Sequence, residues 1–251
     1  MIVFTEPKVY LIARPSLVEG GLSGFLAEAG HILKNKAPES PADAVAEVGG
    51  RVCYCSFGKL FENTSKFLAH AQKLGHGSIF EHPAFTFGVA RCSRGYTHQQ
   101  VRHRAGFAYS QESTHYIKYS KETARFYVDK YAFARGKELW EKNLGAVIEA
   151  YEMAFKVLKD SGDIDRHNCS GAARQLLPQA LESKILVSAN VRAIRHLVED
   201  RCNRHNTLEI RLVATQVLEI MKVEAPASFQ DMDLFVDEDG EKSAKSGKVK
   251  L

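Results

Sequence analysis

Cysteine is scarce in this sequence, and its spacing fits neither metal binding nor thiol–disulfide exchange. The five cysteines are Cys53, Cys55, Cys92, Cys169 and Cys202, and no CxxC pair occurs among them. That spacing excludes a zinc ribbon and a thioredoxin-like motif. An odd number of scattered thiols is typical of proteins that keep their cysteines reduced, so we expect a cytoplasmic protein.

Long apolar runs are also missing. No stretch approaches the roughly 20 apolar residues of a membrane-spanning helix, and the N-terminus lacks the basic-then-apolar layout of a signal peptide. No membrane partner is therefore expected. The formal net charge is only +4, with 25% charged residues, which does not require a nucleic-acid partner. Such a balance suits phosphorylated small molecules when the arginines are concentrated in one cleft.

Two common ligand-binding patterns are absent as well. No GxGxxG follows a predicted strand, which argues against a dinucleotide in a Rossmann cleft. The segment from Gly75 to His82 contains two histidines and a glutamate, but its HxxxxEH spacing is not the helical HExxH pair and no third ligand is indicated. No metal site is therefore expected. The glycines followed by Ser78 instead predict a loop whose backbone approaches a ligand closely.

Apolar periodicity predicts a mixed α+β fold in a single domain with a helix-rich second half. Strands are predicted at residues 8–13 and 84–90, and helices at about 41–53, 64–74, 136–158 and 165–177. Residues 190–222 are predicted to form one long helix that begins at the N-cap residue Asn190. We expect the domain to cover residues 1–235 and a low-complexity tail, poor in apolar residues, to cover 236–251.

The most informative stretch of the chain is a basic run followed by a polar one. Gln99-Gln100-Val101-Arg102-His103-Arg104 is followed by Ser110-Gln111-Glu112-Ser113. The planar guanidinium of arginine suits a phosphate, and serine and glutamine side chains can orient a base or a ring edge. The run therefore indicates an anion-binding site, with a solvated basic turn as the alternative.

Two basic side chains fall on the apolar face of the predicted long helix. At about 100° per residue, Arg201 and His205 share that face with five aliphatic residues. These are Ile194, Leu197, Val198, Leu208 and Leu212. A cation in such a place must either pair with a buried carboxylate or face a ligand cavity.

Three polar residues lie near the start of the same helix. Asn190, Arg192 and His196 are close to the helix N-terminus, where free N–H groups favour anions. They either hold one ligand together or form a solvated face.

In combination, these elements resemble the flavin-dependent thymidylate synthases over about residues 45–225. The resemblance rests on four elements in order along the chain. They are HGSIFEH followed by Phe85-Thr86-Phe87, then Arg102-His103-Arg104 with Gln99 before it and Ser113 after it, then Arg174-Gln175-Leu176-Leu177-Pro178, and finally Asn190-Val191-Arg192, His196, Arg201, His205 and Glu209-Ile210-Arg211.

The resemblance implies reductive methylation of dUMP to dTMP by a single catalytic domain. Such enzymes are mixed α/β homotetramers in which several chains build each active site. Methylenetetrahydrofolate would supply the carbon and NADPH would reduce FAD, without a cysteine nucleophile. The residues implied in FAD binding are Ser78, Arg102, His103, Arg104, Gln111, Asn190, Arg192 and His196. Those implied in dUMP binding are Gln99, Arg102, Ser113, Thr114, His115, Arg174 and Arg201, and Arg201 corresponds to the residue that ionises the uracil imide nitrogen.

The sequence departs from the family pattern near the expected nucleotide site. The spacing from the basic triplet to Ser113 is one residue longer than the commonest form, His115 replaces a usual arginine, and Gln111 replaces a frequent glutamate. An alternative is therefore a UMP/dUMP methylase of a modified-nucleoside pathway with the same fold. A basic nucleic-acid-binding module is a further alternative, although no stripe of alternating basic and aromatic residues supports it.

Overall fold

The fold is mixed α/β, as the sequence predicts, and its second half is rich in helix. The computed structural model describes residues 1–162 and 165–247. The strands are β1 Ile2–Phe4, β2 Lys8–Ala13, β3 Ala84–Ala90, β4 Phe107–Gln111, β5 Arg125–Tyr127, β6 Ile185–Asn190, β7 Met232–Val236 and β8 Lys242–Ser246. The helices are α1 Glu19–Glu28, α2 Pro41–Val52, α3 Thr64–Lys73, α4 Arg94–Gln100, α5 Lys130–Asp160, α6 Arg166–Ala173, α7 Val191–Arg201 and α8 Leu208–Glu224. None of these helices, in the part of the chain described, is long and apolar enough to cross a membrane.

Four strands form the main sheet in the order β2-β3-β6-β4. Along β3, Phe85, Phe87 and Val89 are buried while the residues between them are more exposed. This period of two is what one covered sheet face requires. Two smaller pairs accompany the sheet: β1 runs parallel to β5, and β7 and β8 form an antiparallel hairpin.

The chain packs as two compact units. Unit 1 comprises residues 1–8, 88–102 and 109–186, and unit 2 comprises 9–87, 103–108 and the chain from 187 onward. In unit 1, α5 buries one face through Leu144, Ile148 and Tyr151 in an apolar cluster. A period of three to four along α5 places these three side chains on one face.

Unit 2 contains the helices that carry several of the predicted site residues. Helices α7 and α8 pack against each other, and α7 also packs against the short 3₁₀ turn Gly77–Glu81. Arg195 of α7 is buried and forms a two-pronged ion pair with Asp231, with both N···O distances at 2.7 Å. A charge so deep in the fold is tolerated because it is paired with a carboxylate.

The prediction of one helix over 190–222 is wrong, because α7 ends at Arg201 and α8 begins at Leu208. The side chains of Asn203 and Asn206 both donate to the carbonyl oxygen of Asp200, at 3.0 and 2.8 Å. Asparagine side chains bonded to the backbone in this way compete with a continuing helix. His205 is consequently exposed on the connection, and its placement on an apolar helix face is wrong as well.

Two other helices differ from their predicted extents. Helix α5 begins at Lys130, six residues before the predicted start, and follows the N-cap Asp129. Its helical geometry is interrupted at Gly136. The helix predicted at 165–177 ends at Ala173 and continues as a 3₁₀ turn, Arg174–Leu176.

The predicted tail is also corrected in part. Residues 242–246 form β8, whose partner strand β7 ends at Val236. A buried ion pair between Arg211 and Asp237, at 2.7 Å, anchors the hairpin to α8, and Ser243 donates to the same carboxylate at 2.7 Å. Polar composition alone suggested a tail because the anchoring here is ionic rather than apolar. Residues 248–251 of the predicted tail lie outside the described residues.

Candidate active site

The start of α7 is the best-defined part of the site in unit 2. Asn190 caps the helix as predicted, since its side chain accepts from Ala193 N at 2.9 Å. Asn190 N in turn donates to Gly106 O at 3.2 Å. Gly106 has φ of +75°, and a Cβ there would lie 2.8 Å from the Asn190 amide and 2.9 Å from Ala193. Only glycine allows this close approach of the segment after Arg104 to the helix N-terminus.

Arg192 is the second residue of α7 and contacts the Gly77–Glu81 turn. Its Nη1 donates to the Glu81 carboxylate, and both side chains are nearly half exposed. A Cβ on Gly77 would lie 2.9 Å from Arg192 Nε. Gly77 therefore leaves the space that the guanidinium occupies, and Ser78 follows directly after it.

Two cavities share Arg192 as a lining residue. One has a volume of about 650 Å³ and also contacts Ser78, His76, Tyr54 and Phe67. The other, of about 410 Å³, is lined by Glu81, Ala105, Gly106, Asn190, Arg192, Ala193 and His196. The predicted residues Asn190, Arg192 and His196 therefore do meet at one cavity, and Ser78 meets Arg192 at the other.

The basic triplet divides by exposure. Arg102 and Arg104 are exposed, whereas His103 is buried. Burial, and then the neighbouring charge of Arg201, lower the pKa of His103 from 6.5 to about 4. His103 is consequently neutral near pH 7 and adds no positive charge to the site, unlike the two arginines beside it.

Arg201, at the C-terminal end of α7, contacts that neutral ring. Its Nε donates to His103 Nε2 at 2.9 Å and lies 3.2 Å from Asp200 Oδ2, and its Nη1 donates to Asn206 Oδ1 at 3.0 Å. The carboxylate partner is half exposed rather than in the core. The His196 ring lies 5.7 Å from that of His103, which links this cluster to the cavity at the helix start.

The remaining predicted residues belong to unit 1. They are Gln99, Arg102, Gln111, Ser113, Thr114, His115 and Arg174. Gln111 Nε2 donates to Thr97 Oγ1 at 2.8 Å and to Ser183 Oγ at 3.0 Å, so its amide hydrogens are used within the unit. Arg174 is exposed, and a Cβ on Gly171 would lie 3.6 Å from the His115 ring.

The residues predicted to bind FAD and those predicted to bind dUMP thus lie mostly in different units. Unit 2 holds six of the eight residues predicted for FAD, and unit 1 holds six of the seven predicted for dUMP. The exceptions are Arg102 and Gln111 in the first set and Arg201 in the second.

Two residues of the cluster in unit 2 were not among the predicted site residues. The sequence indicated Glu81 only as a possible metal ligand. Its partner Arg192 lies 111 residues further along the chain, so no local pattern records the pair. Asn206 carries no sequence signal, because it contacts Arg201 only once the helix breaks. Among the described residues, no group of three histidine, cysteine or acidic side chains could hold a metal ion.

Three of the five cysteines are placed poorly for nucleophilic catalysis. Cys92, Cys169 and Cys202 are buried, and burial raises the pKa of the Cys202 thiol to about 12. The two exposed cysteines are Cys53 and Cys55, and Cys53 lines the larger cavity. A buried thiol with a raised pKa is not the thiolate that attacks a pyrimidine ring.

Comparison with known proteins identifies the family. Residues 37–227 match the family described as thymidylate synthase complementing protein. A flavin-dependent thymidylate synthase from Corynebacterium diphtheriae is 33% identical over 250 residues, which cover 94% of this chain and 98% of that one. Another from Geobacter sulfurreducens is 34% identical over 198 residues, covering 75% and 81%.

Solved structures share the fold. The UMP/dUMP methylase PolB from Streptomyces cacaoi, bound with 5-Br dUMP, has a TM-score of 0.66 at 18% identity and covers 92% of this chain and 96% of its own. The same protein bound with 5-Br UMP gives 0.64 at 20% identity, covering 92% and 95%. The family predicted from the sequence is confirmed: the chain belongs to the flavin-dependent thymidylate synthases, the thymidylate synthase complementing protein family.

Proposed function

We propose that this protein is a methyltransferase that converts dUMP to dTMP with FAD as cofactor, methylenetetrahydrofolate as carbon donor and NADPH as reductant. The observation that carries the proposal is the arrangement around Arg192, which lines two adjacent cavities beside the N-terminus of α7. The guanidinium of Arg192, the hydroxyl of Ser78 and the side-chain amide of Asn190 line these cavities, next to the positive end of the helix dipole. That donor set suits the diphosphate of a dinucleotide.

The residues present fit FAD in chemistry and in space. The larger cavity, with Tyr54 and Phe67 in its lining, offers apolar surface for a flat ring, and the smaller one offers Asn190, His196 and the helix N-terminus. Gly77 and Gly106 both stand where a Cβ would collide with a neighbouring side chain of the site. When bound, the flavin would supply the two electrons that turn a methylene group into a methyl group. Gln111 would take part through its carbonyl oxygen, and Arg102 and Arg104 through their exposed guanidinium groups.

The nucleotide would be held by the residues predicted for dUMP, which are Gln99, Arg102, Ser113, Thr114, His115, Arg174 and Arg201. Ser113, Thr114, His115 and Arg174 supply donors for a phosphate, and Gln99 and Arg102 add an amide and a second cation. Arg201 would stabilise the negative charge that develops on the uracil imide as ring carbon five becomes nucleophilic. Activation of this kind needs no thiol attack, in keeping with the burial of Cys92, Cys169 and Cys202.

The assembly and location belong to the same proposal. We infer a cytoplasmic homotetramer in which residues 1–235 act as one catalytic domain and each site is shared between chains. Exposed apolar side chains on α5 support the assembly, since Leu139, Met153 and Val157 are each at least 64% exposed. The five cysteines form no disulfide among the described residues, which supports a reducing compartment. Neither nucleic acid nor membrane is proposed as a partner, because Arg51, Arg195 and Arg211 are used in internal ion pairs.

The cofactor assignment is tested on the purified protein. We expect a yellow preparation, or a colourless one that regains the flavin absorbance spectrum on incubation with FAD. FAD should bind more tightly than FMN, because the helix N-terminus and Arg192 are proposed to bind the diphosphate, which FMN lacks. A protein that stays colourless with either flavin would overturn the proposal and favour the nucleic-acid-binding alternative.

A UMP-using methylase is the second candidate. The observation that favours it is the pair of departures in the nucleotide set, His115 and Gln111, together with the use of the Gln111 amide hydrogens by Thr97 and Ser183. Turnover of UMP and dUMP under the same conditions separates the two. Equal or faster turnover of UMP would establish the second candidate.

A further inference from the structure

The connection between α7 and α8 is built around two asparagine side chains. Asn203 and Asn206 both donate to the carbonyl of Asp200, and Asn206 Nδ2 also lies 3.1 Å from Asn203 Oδ1. The amide nitrogen of Asn206 is thus directed toward the connection itself. Its oxygen is left to face Arg201, where it accepts from Nη1 at 3.0 Å.

The guanidinium of Arg201 is held along two of its three nitrogens. Nε contacts His103 Nε2 at 2.9 Å, and Nη1 contacts Asn206. Within the described residues, Nη2 makes no hydrogen bond. Two hydrogen bonds from the same planar group restrict rotation about the side-chain bonds that lead to it. The third nitrogen, Nη2, is therefore presented in one orientation.

The two anchors are neutral acceptors, which matters for a catalytic cation. A carboxylate in the place of Asn206 would orient the guanidinium equally well but would cancel much of its field. The nearby carboxylate of Asp200, 3.2 Å from Nε, is half exposed and is therefore screened by water. His103 stays uncharged because it is buried and beside Arg201. The positive charge of Arg201 is oriented by two neutral groups and is offset only in part by the solvent-screened carboxylate of Asp200.

We propose that Asn206 is a positioning residue that fixes the Arg201 guanidinium, so that its Nη2 edge meets the negative charge developing on the uracil imide. The inference rests on the proposed function for the identity of that substrate. A preorganised charge needs no rearrangement at the moment of reaction, and misplacement by about 1 Å costs on the order of 100-fold in rate.

The chain offers a matched control. Asn203 supports the same connection, through Asp200 O, His205 N and Asn206 Nδ2, and within the described residues it forms no hydrogen bond with Arg201. Asn206→Ala and Asn203→Ala therefore loosen the same turn, and only the first removes an anchor of the guanidinium. Melting temperature and flavin content report whether either variant is damaged as a whole.

The test compares both variants in the flavin-loaded protein. We expect Asn206→Ala to lower kcat for dTMP formation about 10- to 100-fold, with a smaller change in KM for dUMP and unchanged reduction of bound flavin by NADPH. Asn203→Ala should lower kcat less than about threefold by the same argument. Equal losses of kcat in the two variants would overturn the positioning role.

A second measurement does not depend on turnover. Crystal structures of the two variants should show Arg201 in more than one rotamer in Asn206→Ala and in a single rotamer in Asn203→Ala. An unchanged Arg201 in Asn206→Ala would overturn the inference. If the wild type does not turn over dUMP while the rotamer contrast is seen, the proposed function fails and the positioning of Arg201 stands.

Discussion

Arg201 Nε donates a hydrogen bond to His103 Nε2 over 2.9 Å, which joins the middle residue of the basic triplet to the last residue of α7. The bond requires the His103 ring to be neutral at that nitrogen. Protonation would place two cations in contact, so the pKa of His103 is lowered from 6.5 to about 4 by burial and by Arg201. Asp200 opposes this shift, and His196 adds to it.

This relationship predicts a pH dependence of stability. Between about pH 4 and 6.5 the unfolded chain protonates this histidine while the folded chain does not, so the unfolded state binds more protons. The contribution of His103 is complete above about pH 6.5 and is lost as the pH falls toward 4. We would measure the free energy of unfolding by urea titrations across this pH range. In His103→Gln, this free energy should change less steeply with pH, and the difference in slope should correspond to at most about one proton. The exposed His98→Gln should keep the wild-type slope. Equal slopes in all three proteins would contradict the account.

A second prediction concerns the glycine beside Arg192. Gly77→Ala places a Cβ 2.9 Å from Arg192 Nε, and the flexible arginine should move away at little cost to stability. We expect FAD affinity to fall about 10- to 100-fold, the size of one lost charge-assisted hydrogen bond of about 1.5–3 kcal/mol. Arg192→Ala should have a similar effect. Gly24→Ala, where no atom lies within 4 Å of the new Cβ, is the control. Unchanged FAD affinity in both site variants would show that Arg192 does not contact the flavin.

The third prediction separates the two half-reactions. Arg201→Ala should lower dTMP formation about 100- to 1,000-fold, the usual effect of removing a group that stabilises developing charge. Reduction of bound flavin by NADPH should persist, because Arg201 is proposed to stabilise charge on the uracil ring and not on the flavin. Arg204→Ala removes an exposed arginine paired with Glu238 and should leave both steps unchanged. Parallel loss of both steps in Arg201→Ala would assign the residue a structural role instead.

The fourth prediction concerns the C-terminal hairpin. Asp237→Asn removes the carboxylate that pairs with Arg211, a side chain only 5% exposed. The melting temperature should fall, because a buried guanidinium loses its nearer charged partner and keeps only the exposed carboxylate of Asp239 at 3.8 Å. Hydrogen bonds, first from Ser243, and then the charge of Arg211 hold the pKa of Asp237 below its usual value, so this stabilisation is present at neutral pH and is lost as the pH falls through that lowered pKa. Glu238→Gln, whose side chain is 85% exposed, should change the melting temperature little. Equal melting temperatures in all three proteins would show that the hairpin is not anchored by this pair.

The fifth prediction concerns assembly. Light scattering should report four times the chain mass of 28.0 kDa. Met153→Glu places a charge among the exposed apolar residues of α5 and should shift the protein to smaller species. Lys137→Glu, elsewhere on the exposed surface of α5, should leave the mass unchanged. An active wild-type monomer would contradict the tetramer.

The sequence predicted correctly those features that depend on residues close together along the chain. The strands at residues 8–13 and 84–90 match β2 and β3. In β3, alternating burial leaves a period of two in the sequence. The N-cap at Asn190 was also predictable, because the backbone N–H of Ala193 that donates to its side chain lies only three residues away. The grouping of Asn190, Arg192 and His196 followed from helix geometry alone.

The sequence did not predict features that depend on contacts between distant residues or on hydrogen bonds from side chains to the backbone. The break after Arg201 depends on asparagine side chains that bond to a carbonyl, which apolar periodicity does not record. The hairpin β7–β8 depends on an ion pair between residues 26 apart. The neutral state of His103 depends on its burial, which the triplet's charge pattern conceals. For this reason the sequence indicated three cations where the structure has two.

Formation of dTMP is the most direct test of the account. Purified protein stripped of flavin should produce none from dUMP, methylenetetrahydrofolate and NADPH, and addition of FAD should restore production. The product should carry the methylene carbon of the folate when that carbon is isotopically labelled, as read by mass spectrometry. Labelled dTMP that appears only with FAD is the predicted result. Flavin-loaded protein that leaves dUMP unmethylated, or that forms dTMP equally well without any flavin, would contradict it.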